Sequence, residues 1–331
     1  MDVQKFKNIQ FGLYFSIIFF ILPLIFRSNY SKYTLVWFCI YCMLAVSLRF
    51  IMLVGAVNFA HAGFMGIGAY VSAVLMMRLG LSFWITFILG ALVSAIFAAF
   101  FGIITLRLKG AYFFLVSFAL VEIIRVFFSS YFVDIFGGVN GLIGVPPPNG
   151  ILWLHFDAGS LGLLYLIGVI TVLVLFSVYL FEKSYWGKVF NCINESDNLA
   201  QSIGINILKY KVIVFIIGCF IAGVAGSLYG CTNGVITPDD FTYELSLFLL
   251  VCVVLGGMEN ILGTVLSVSL LVVIRELFRS AAYFEPIIWG LSLILILLFA
   301  PRGLFGLGTN IFWIAKSTFR SLRKKEINAE G

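Results

Sequence analysis

The sequence predicts an all-α polytopic membrane protein with eight to ten transmembrane helices. Of its 331 residues 62% are hydrophobic and 11% are charged, and long apolar runs recur along nearly the whole chain. Soluble domains contain about a quarter charged residues. Because a span needs roughly 20 apolar residues, ten spans would occupy about 60% of a chain of this length. Little sequence remains for a soluble domain, so we expect one transmembrane domain over residues 1–331.

Ten apolar runs are the candidate spans. They lie at about 11–26, 34–54, 63–77, 83–106, 111–130, 161–181, 211–232, 244–255, 264–280 and 285–300. Two stretches, 52–68 and 255–263, are rich in small and polar residues, which is typical of helices that break or re-enter against protein rather than lipid. If neither stretch spans, the number of crossings falls to eight.

Two long stretches without positive charge identify the outer loops. Residues 126–182 and 212–274 contain no lysine or arginine, and basic residues are retained on the cytoplasmic side of membranes. The loop at 131–160, with its glycines and three consecutive prolines, is therefore expected to be periplasmic, and the loop at 233–243 is expected on the same side.

Basic residues collect in the segments expected inside. The polar loop at 181–211 and the tail at 301–331 hold ten of them, so we expect both to be cytoplasmic, together with both termini. Arg27, Lys32 and Arg78 oppose this orientation. The basic tail is interpreted as an anchor beside anionic membrane lipid, and the net charge of +6 does not indicate a nucleic-acid partner.

The sequence lacks the motifs of chemistry that would drive transport or catalysis. It contains no phosphate-binding loop, no zinc-protease motif and no nucleophile elbow, so we expect no catalytic residue and no ATP hydrolysis by this chain alone. Cys39 and Cys42 share a helix face but are interpreted as small apolar residues, and no metal site is predicted. Only Glu122 lies well within a span, which argues against an ion-coupled carrier.

Several motifs follow one another in an order that resembles a known family. They are Asn58–Ala62 with Gly66–Tyr70, Leu106–Phe113 with Glu122 downstream, Gly137–Gly141 through Pro146, Ala222–Tyr229, Thr237–Asp239 with Phe241, Leu255–Met258, and Ala300–Leu304. Each motif alone is weak, and the ordered set covers nearly the whole chain. The sequence resembles the permease subunits of ATP-binding-cassette importers for branched-chain amino acids, of the LivM type.

The resemblance implies a permease without enzymatic activity in a bacterial inner membrane. It implies a second homologous permease of the LivH type, two ATPase subunits that bind ATP and magnesium, and a periplasmic solute-binding protein as partners, with no cofactor on this chain. Asn194, Glu259 and Thr264 depart from the family's usual residues, so permeases for urea, short amides or other amino acids remain alternatives. A passive channel and an ion-coupled carrier are the rivals from other classes.

The polar loop carries the residues that the resemblance assigns to coupling with the ATPase. A short helix is predicted over residues 196–203, ending at Gly204. Within this loop Glu195, Asp197, Ala200 and Gly204 match the family's pattern. A small Ala200 would let the helix sit close to an ATPase groove.

Three polar residues are candidates for the translocation path. Asn58 and His61 lie at the first predicted helix break, where they either line the path or satisfy backbone groups that the break frees. Glu122 either contacts solute or forms a structural pair with Arg125, three residues later on the same helix face.

Glycines near the two motif-rich regions predict close helix packing. They are Gly55, Gly63, Gly66 and Gly68 in the first region and Gly223 and Gly226 in the second. At the first break an unwound backbone would also be able to offer amide groups to a zwitterion.

Overall fold

A computed structural model describes residues 29–108, 110–150, 156, 160–258, 260–277 and isolated positions between 284 and 298. These residues are almost entirely helical, with two short strands, β1 and β2. The helices of more than three turns and the short helices of the polar loop are α1 (Asn29–Met52), α2 (His61–Leu79), α3 (Phe83–Thr105), α4 (Ala111–Ser130), α6 (Leu161–Lys183), α7 (Tyr185–Glu195), α8 (Asp197–Ser202), α9 (Ile207–Asn233), α10 (Tyr243–Gly256) and α11 (Ile261–Leu277). A single turn, α5 (Val133–Phe136), and the strands β1 (Leu142–Ile143) and β2 (Val235–Ile236) occupy the loops.

Six of these helices, α1, α2, α3, α4, α6 and α9, are long and apolar enough to cross a membrane. This confirms the predicted all-α polytopic membrane fold. The predicted spans at 244–255 and 264–280 correspond to the shorter helices α10 and α11. The predicted span at 11–26 and the tail at 301–331 lie outside the described residues, as does the run at 285–300 except at isolated positions.

The chain leaves the helical conformation within both stretches predicted to break, although the first break is shorter than the predicted 52–68, because residues 61–68 belong to α2. α1 ends at Met52 and α2 begins at His61, so eight residues lie between the two helices. α10 ends at Gly256 and α11 begins at Ile261. In each case the helix ends where small and polar residues interrupt the apolar run. Backbone groups that are freed there need hydrogen-bond partners from the protein, since lipid offers none.

The chain forms two compact units that divide between Leu249 and Leu250. In the first unit, at least two-thirds of the most apolar 18 residues of α1, α2 and α9 are buried. In α3, α4 and α6 only about one third of the corresponding residues are buried. In the second unit the Ser267 hydroxyl donates to the Cys252 carbonyl, and a Cβ on Gly256 would lie 2.6 Å from the Gly263 carbonyl oxygen.

Contacts between loops place them at two ends of the first unit. β1 pairs with β2 in antiparallel register, Leu142 opposite Ile236, so the loops predicted at 131–160 and 233–243 lie at the same end. Tyr33 at the start of α1 donates to Asn233 at the same end. At the other end the last turn of α1 meets the end of α6 through Arg49 and Glu182.

Candidate functional site

Small residues let α2, α3 and α9 approach each other closely. A Cβ on Gly68 would overlap the backbone of Gly223, and a Cβ on Gly226 would overlap the Met65 carbonyl oxygen. The Ser227 hydroxyl, one turn beyond Gly223, lies 3.2 Å from the Gly68 carbonyl oxygen and 3.1 Å from that of Gly223. On α3, the Ala91 Cα would lie 2.9 Å from a Cβ on Gly223, so the three helices form a core that admits no larger side chain at these positions.

Two further glycines pack against side chains, and Gly55 does not. A Cβ on Gly63 would come within 2.9 Å of Ile124 Cδ1, and one on Gly66 within 2.9 Å of the Phe241 ring. The nearest atom to a Cβ on Gly55 is the Asn194 side-chain oxygen at 3.7 Å, an ordinary contact distance. Gly55 instead has φ +74°, so the structure differs here from the expectation of close packing: glycine is favoured by the backbone conformation.

Amide groups in the first break and in the first turn of α2 bind side chains of the same chain. Asn58 accepts from the Ala60 amide at 3.0 Å, the Phe59 amide donates to Ser117 at 3.1 Å, and the Ala62 amide donates to Ser246 at 3.2 Å. These three amides are thus not available to a solute in this conformation. The contacts favour the interpretation that Asn58 satisfies backbone freed by the break.

His61 is fully buried at the first residue of α2. Its Nε2 lies 2.8 Å from the Ser47 hydroxyl, and that hydroxyl donates to the Leu44 carbonyl at 2.9 Å. The tautomer of His61 sets which of Nε2 and the Ser47 hydroxyl is the donor. Among the described residues Nδ1 has no hydrogen-bond partner. This geometry also favours a structural role.

Glu122 belongs to a group of three charged side chains that we call the charged triad. Arg125 Nε donates to Glu122 at 2.8 Å, and Nη1 donates to Asp239 at 3.2 Å. Asp239 lies in the turn Pro238–Phe241 after β2. The predicted pair of Glu122 and Arg125 on α4 therefore also contacts Asp239, which comes from a distant loop. Helix spacing alone does not predict this third member.

Arg49 is a residue that the sequence reasoning missed. It is 1% exposed in the last turn of α1, and it pairs with Glu182 in the last turn of α6. The neighbouring Phe50 ring lies 5.7 Å from Phe190 and 6.1 Å from Phe181. An arginine at the end of an apolar span was the available signal, but such residues often extend to the interface instead of pairing.

The polar loop between α6 and α9 folds into α7 and α8. The Ser196 side chain caps α8 by accepting from the Leu199 amide, and Gly204, two residues after the helix, has φ +83°, as expected for a left-handed residue that ends a helix. Lys211 Nζ lies 3.0 and 3.2 Å from the carboxylate oxygens of Asp197. Asp197 is therefore bound to its own chain.

The side chains that are exposed on α8, and at Ile203 directly after it, are not those that the sequence selects. Ala200 is only 1% exposed, so its small size serves packing within this chain and not contact with a partner groove, contrary to the expectation above. Leu199 and Ile203, four residues apart, are each 69% exposed. Glu195 is also exposed, and it lines an open depression of about 310 Å³ with Asp197 and Lys211.

Possible metal ligands do not cluster in the part of the chain that the structure describes. No group of three histidine, cysteine, aspartate or glutamate side chains is placed to hold a metal ion there. All six cysteines are free, and only Cys192, on α7, is exposed.

Comparisons with known proteins identify the family. Residues 30–301 match the family described as the permease component of the branched-chain amino acid transport system. The chain is 31% identical over 288 residues to the high-affinity branched-chain amino acid transport system permease protein LivM of Salmonella typhimurium, covering 80% of this chain and 67% of that protein. It is 30% identical to LivM of Escherichia coli K12, with the same coverage.

A second group of relatives aligns along more of its own length. The LivH permease protein of Salmonella typhimurium is 27% identical over 285 residues, which are 80% of this chain and 91% of that protein. No solved structure matches the chain. The chain belongs to the family of permease components of branched-chain amino acid transport systems.

Proposed function

We propose that the chain is one of two membrane-spanning subunits of an ATP-driven importer that carries branched-chain amino acids across the inner membrane of a bacterium. A LivH-like permease completes the pore, two ATPase subunits bind ATP and magnesium, and a periplasmic binding protein delivers the solute. The chain itself carries no nucleotide site. Family membership supports the solute class, and relatives named LivM and LivH support a pair of related permeases.

The exposed face of α8 is the observation that best supports coupling to a separate ATPase. Leu199 and Ile203 expose aliphatic side chains in a polar loop, while the pair between Asp197 and Lys211 fixes the base of the helix to α9. Apolar side chains that neither lipid nor the chain itself covers can be buried against another protein. We place this loop and both termini in the cytoplasm because of the basic residues beside them.

Reconstitution of the complete importer tests the proposed function. The chain is purified with its second permease and ATPase subunits, inserted into vesicles with binding protein on the outer side, and loaded with ATP at the ATPase side. We expect ATP-dependent accumulation of labelled leucine that isoleucine and valine inhibit and urea does not. Accumulation of urea or a short amide in place of leucine would contradict the solute class. Equilibration of leucine without ATP would indicate a passive channel instead.

A further inference from the structure

Two members of the charged triad lie on a helix that carries no other charge. The α4 span contains Glu122 and Arg125 as its only charged residues, and their side chains are 29% and 32% exposed, whereas that of Asp239 is 67% exposed. Charged side chains in a membrane span are costly against lipid and face protein or water. The side of α4 that carries the triad is therefore not a lipid-facing side.

The exposed surface of α4 divides into two sectors. At 100° per residue, Phe114, Phe118, Glu122 and Arg125 fall within a narrow stripe along the helix. The remaining exposed residues of the span are apolar apart from the Tyr112 hydroxyl and Ser130 at the two ends, and among them Ile123 is 62% exposed. Only the stripe combines aromatic and charged groups.

Aromatic rings continue the stripe toward the first break. Phe59, in the break, lies 4.9 Å from Phe114 and 5.8 Å from Phe118, ring centre to ring centre. Tyr243, at the start of α10, lies 5.4 Å from Phe118. Phe118 precedes Glu122 by about 6 Å along the helix axis. The aromatic rings and the charged groups are thus neighbours on one surface, and the distance between them is comparable to the length of one amino acid.

The hydrogen bonds of the triad leave groups for both charges of a zwitterion. Among the described residues only Nε and Nη1 of Arg125 are bonded, so Nη2 is available to a carboxylate. Asp239 uses Oδ1 for Arg125 and is otherwise exposed, so its carboxylate can accept from an ammonium group. Two carboxylates against one guanidinium give the triad a net charge of −1, which favours a ligand that brings an ammonium group.

We propose that the charged triad and the adjoining rings of Phe118 and Tyr243 form a binding subsite for an aliphatic α-amino acid on its way through the permease. Arg125 binds the α-carboxylate, Asp239 binds the α-ammonium, and the rings contact the aliphatic side chain. Glu122 is a positioning residue that holds Arg125 through Nε. The proposal rests on the proposed function and names the surface at which its solute is recognised.

Equilibrium dialysis of the assembled importer in lipid nanodiscs, without binding protein, tests the subsite. The ligands are leucine, leucinamide, which lacks the carboxylate, and 4-methylpentanoate, which lacks the ammonium group. Arg125→Gln should weaken leucine binding at least tenfold and leave leucinamide binding unchanged. Asp239→Asn should weaken leucine binding by a similar factor and leave 4-methylpentanoate binding unchanged. Arg78→Gln removes an exposed arginine that donates to the Asp134 carbonyl and, as the matched control, should bind all three ligands like the parent.

The outcomes separate the subsite from the proposed function. Leucine affinities within twofold of the parent in both triad variants would overturn the subsite and leave the triad as a tie between α4 and the loop after β2. Equal losses for all three ligands would also overturn it, because they would indicate general damage. If the parent importer binds and accumulates no branched-chain amino acid, the proposed function fails instead. The subsite is supported if each variant binds leucine more weakly but still binds, like the parent, the ligand that lacks the charged group its residue would contact.

Discussion

At the residue scale, the ion pair between Arg49 and Glu182 matters because Arg49 is the most deeply buried side chain of the ion pairs in the described part of the chain. Arg49 is 1% exposed and Glu182 is 18% exposed. Removing one partner leaves a buried charge uncompensated, which costs about 3–5 kcal/mol, whereas replacing both by apolar residues is often neutral. Glu182→Gln should therefore lower the thermal unfolding temperature of the purified complex, and Arg49→Met combined with Glu182→Leu should recover most of the loss. A double variant as unstable as the single one would contradict this account.

The contact between His61 and Ser47 leads to a second prediction at this scale. Both side chains are fully buried, and the hydrogen bond joins α1 to the first residue of α2. His61→Ala would remove the bond and open a cavity, which together cost about 2–5 kcal/mol. We expect less assembled protein and a lower unfolding temperature, with leucine uptake per assembled complex close to that of the parent. Reduced uptake per complex at unchanged stability would instead place His61 on the translocation path.

At the element scale, the interface of α2 with α9 depends on the absence of side chains. A Cβ on Gly226 meets the backbone of Met65, which cannot rotate away, whereas a Cβ on Gly102 meets the Phe215 ring at 3.1 Å, and a ring can shift. Gly226→Ala should therefore destabilise the protein by about 1–3 kcal/mol, and Gly102→Ala should cost less. Thermal unfolding of the two variants side by side measures the difference. Equal stability would show that the helices separate easily.

The short helix α8 is the second element with a testable role. Leu199 and Ile203 are exposed, so Leu199→Ser with Ile203→Ser should change the stability of the chain by no more than about 0.5 kcal/mol. If α8 binds the ATPase, the double variant should lose at least tenfold in solute-stimulated ATP hydrolysis and in uptake together. Asn198→Ser, on the exposed surface of the same helix, is the control. Normal hydrolysis and uptake in the double variant would exclude α8 as the coupling element.

At the scale of the whole molecule, the prediction concerns orientation in the membrane. The five buried cysteines are shielded, so Cys192→Ser removes the one exposed thiol. In that background, Gly150→Cys should react with an impermeant thiol reagent added to intact spheroplasts, and Asn198→Cys should react only after the membrane is opened. Both sites are exposed and lie in loops predicted on opposite sides. Labelling of residue 198 from outside would reverse the proposed topology.

The sequence by itself determined the class of fold and the approximate positions of the long helices that the structure describes. Apolar runs of spanning length require helices, because backbone groups in lipid must bond within their own segment, and both breaks appear where small residues interrupt those runs. The helix in the polar loop was predictable for a similar local reason, since Ser196 and Gly204 provide its cap and its end.

Only the tertiary structure decided which side chains meet. The sequence contains no feature that pairs Arg49 with Glu182, 133 residues away, or that brings Asp239 to Arg125, 114 residues away. It also selected Ala200 for the outer face of α8, whereas packing buries Ala200 and exposes Leu199 and Ile203. Local propensity and hydropathy act over one or two helical turns, but the partner of a charge and the buried face of a short helix depend on how distant segments pack.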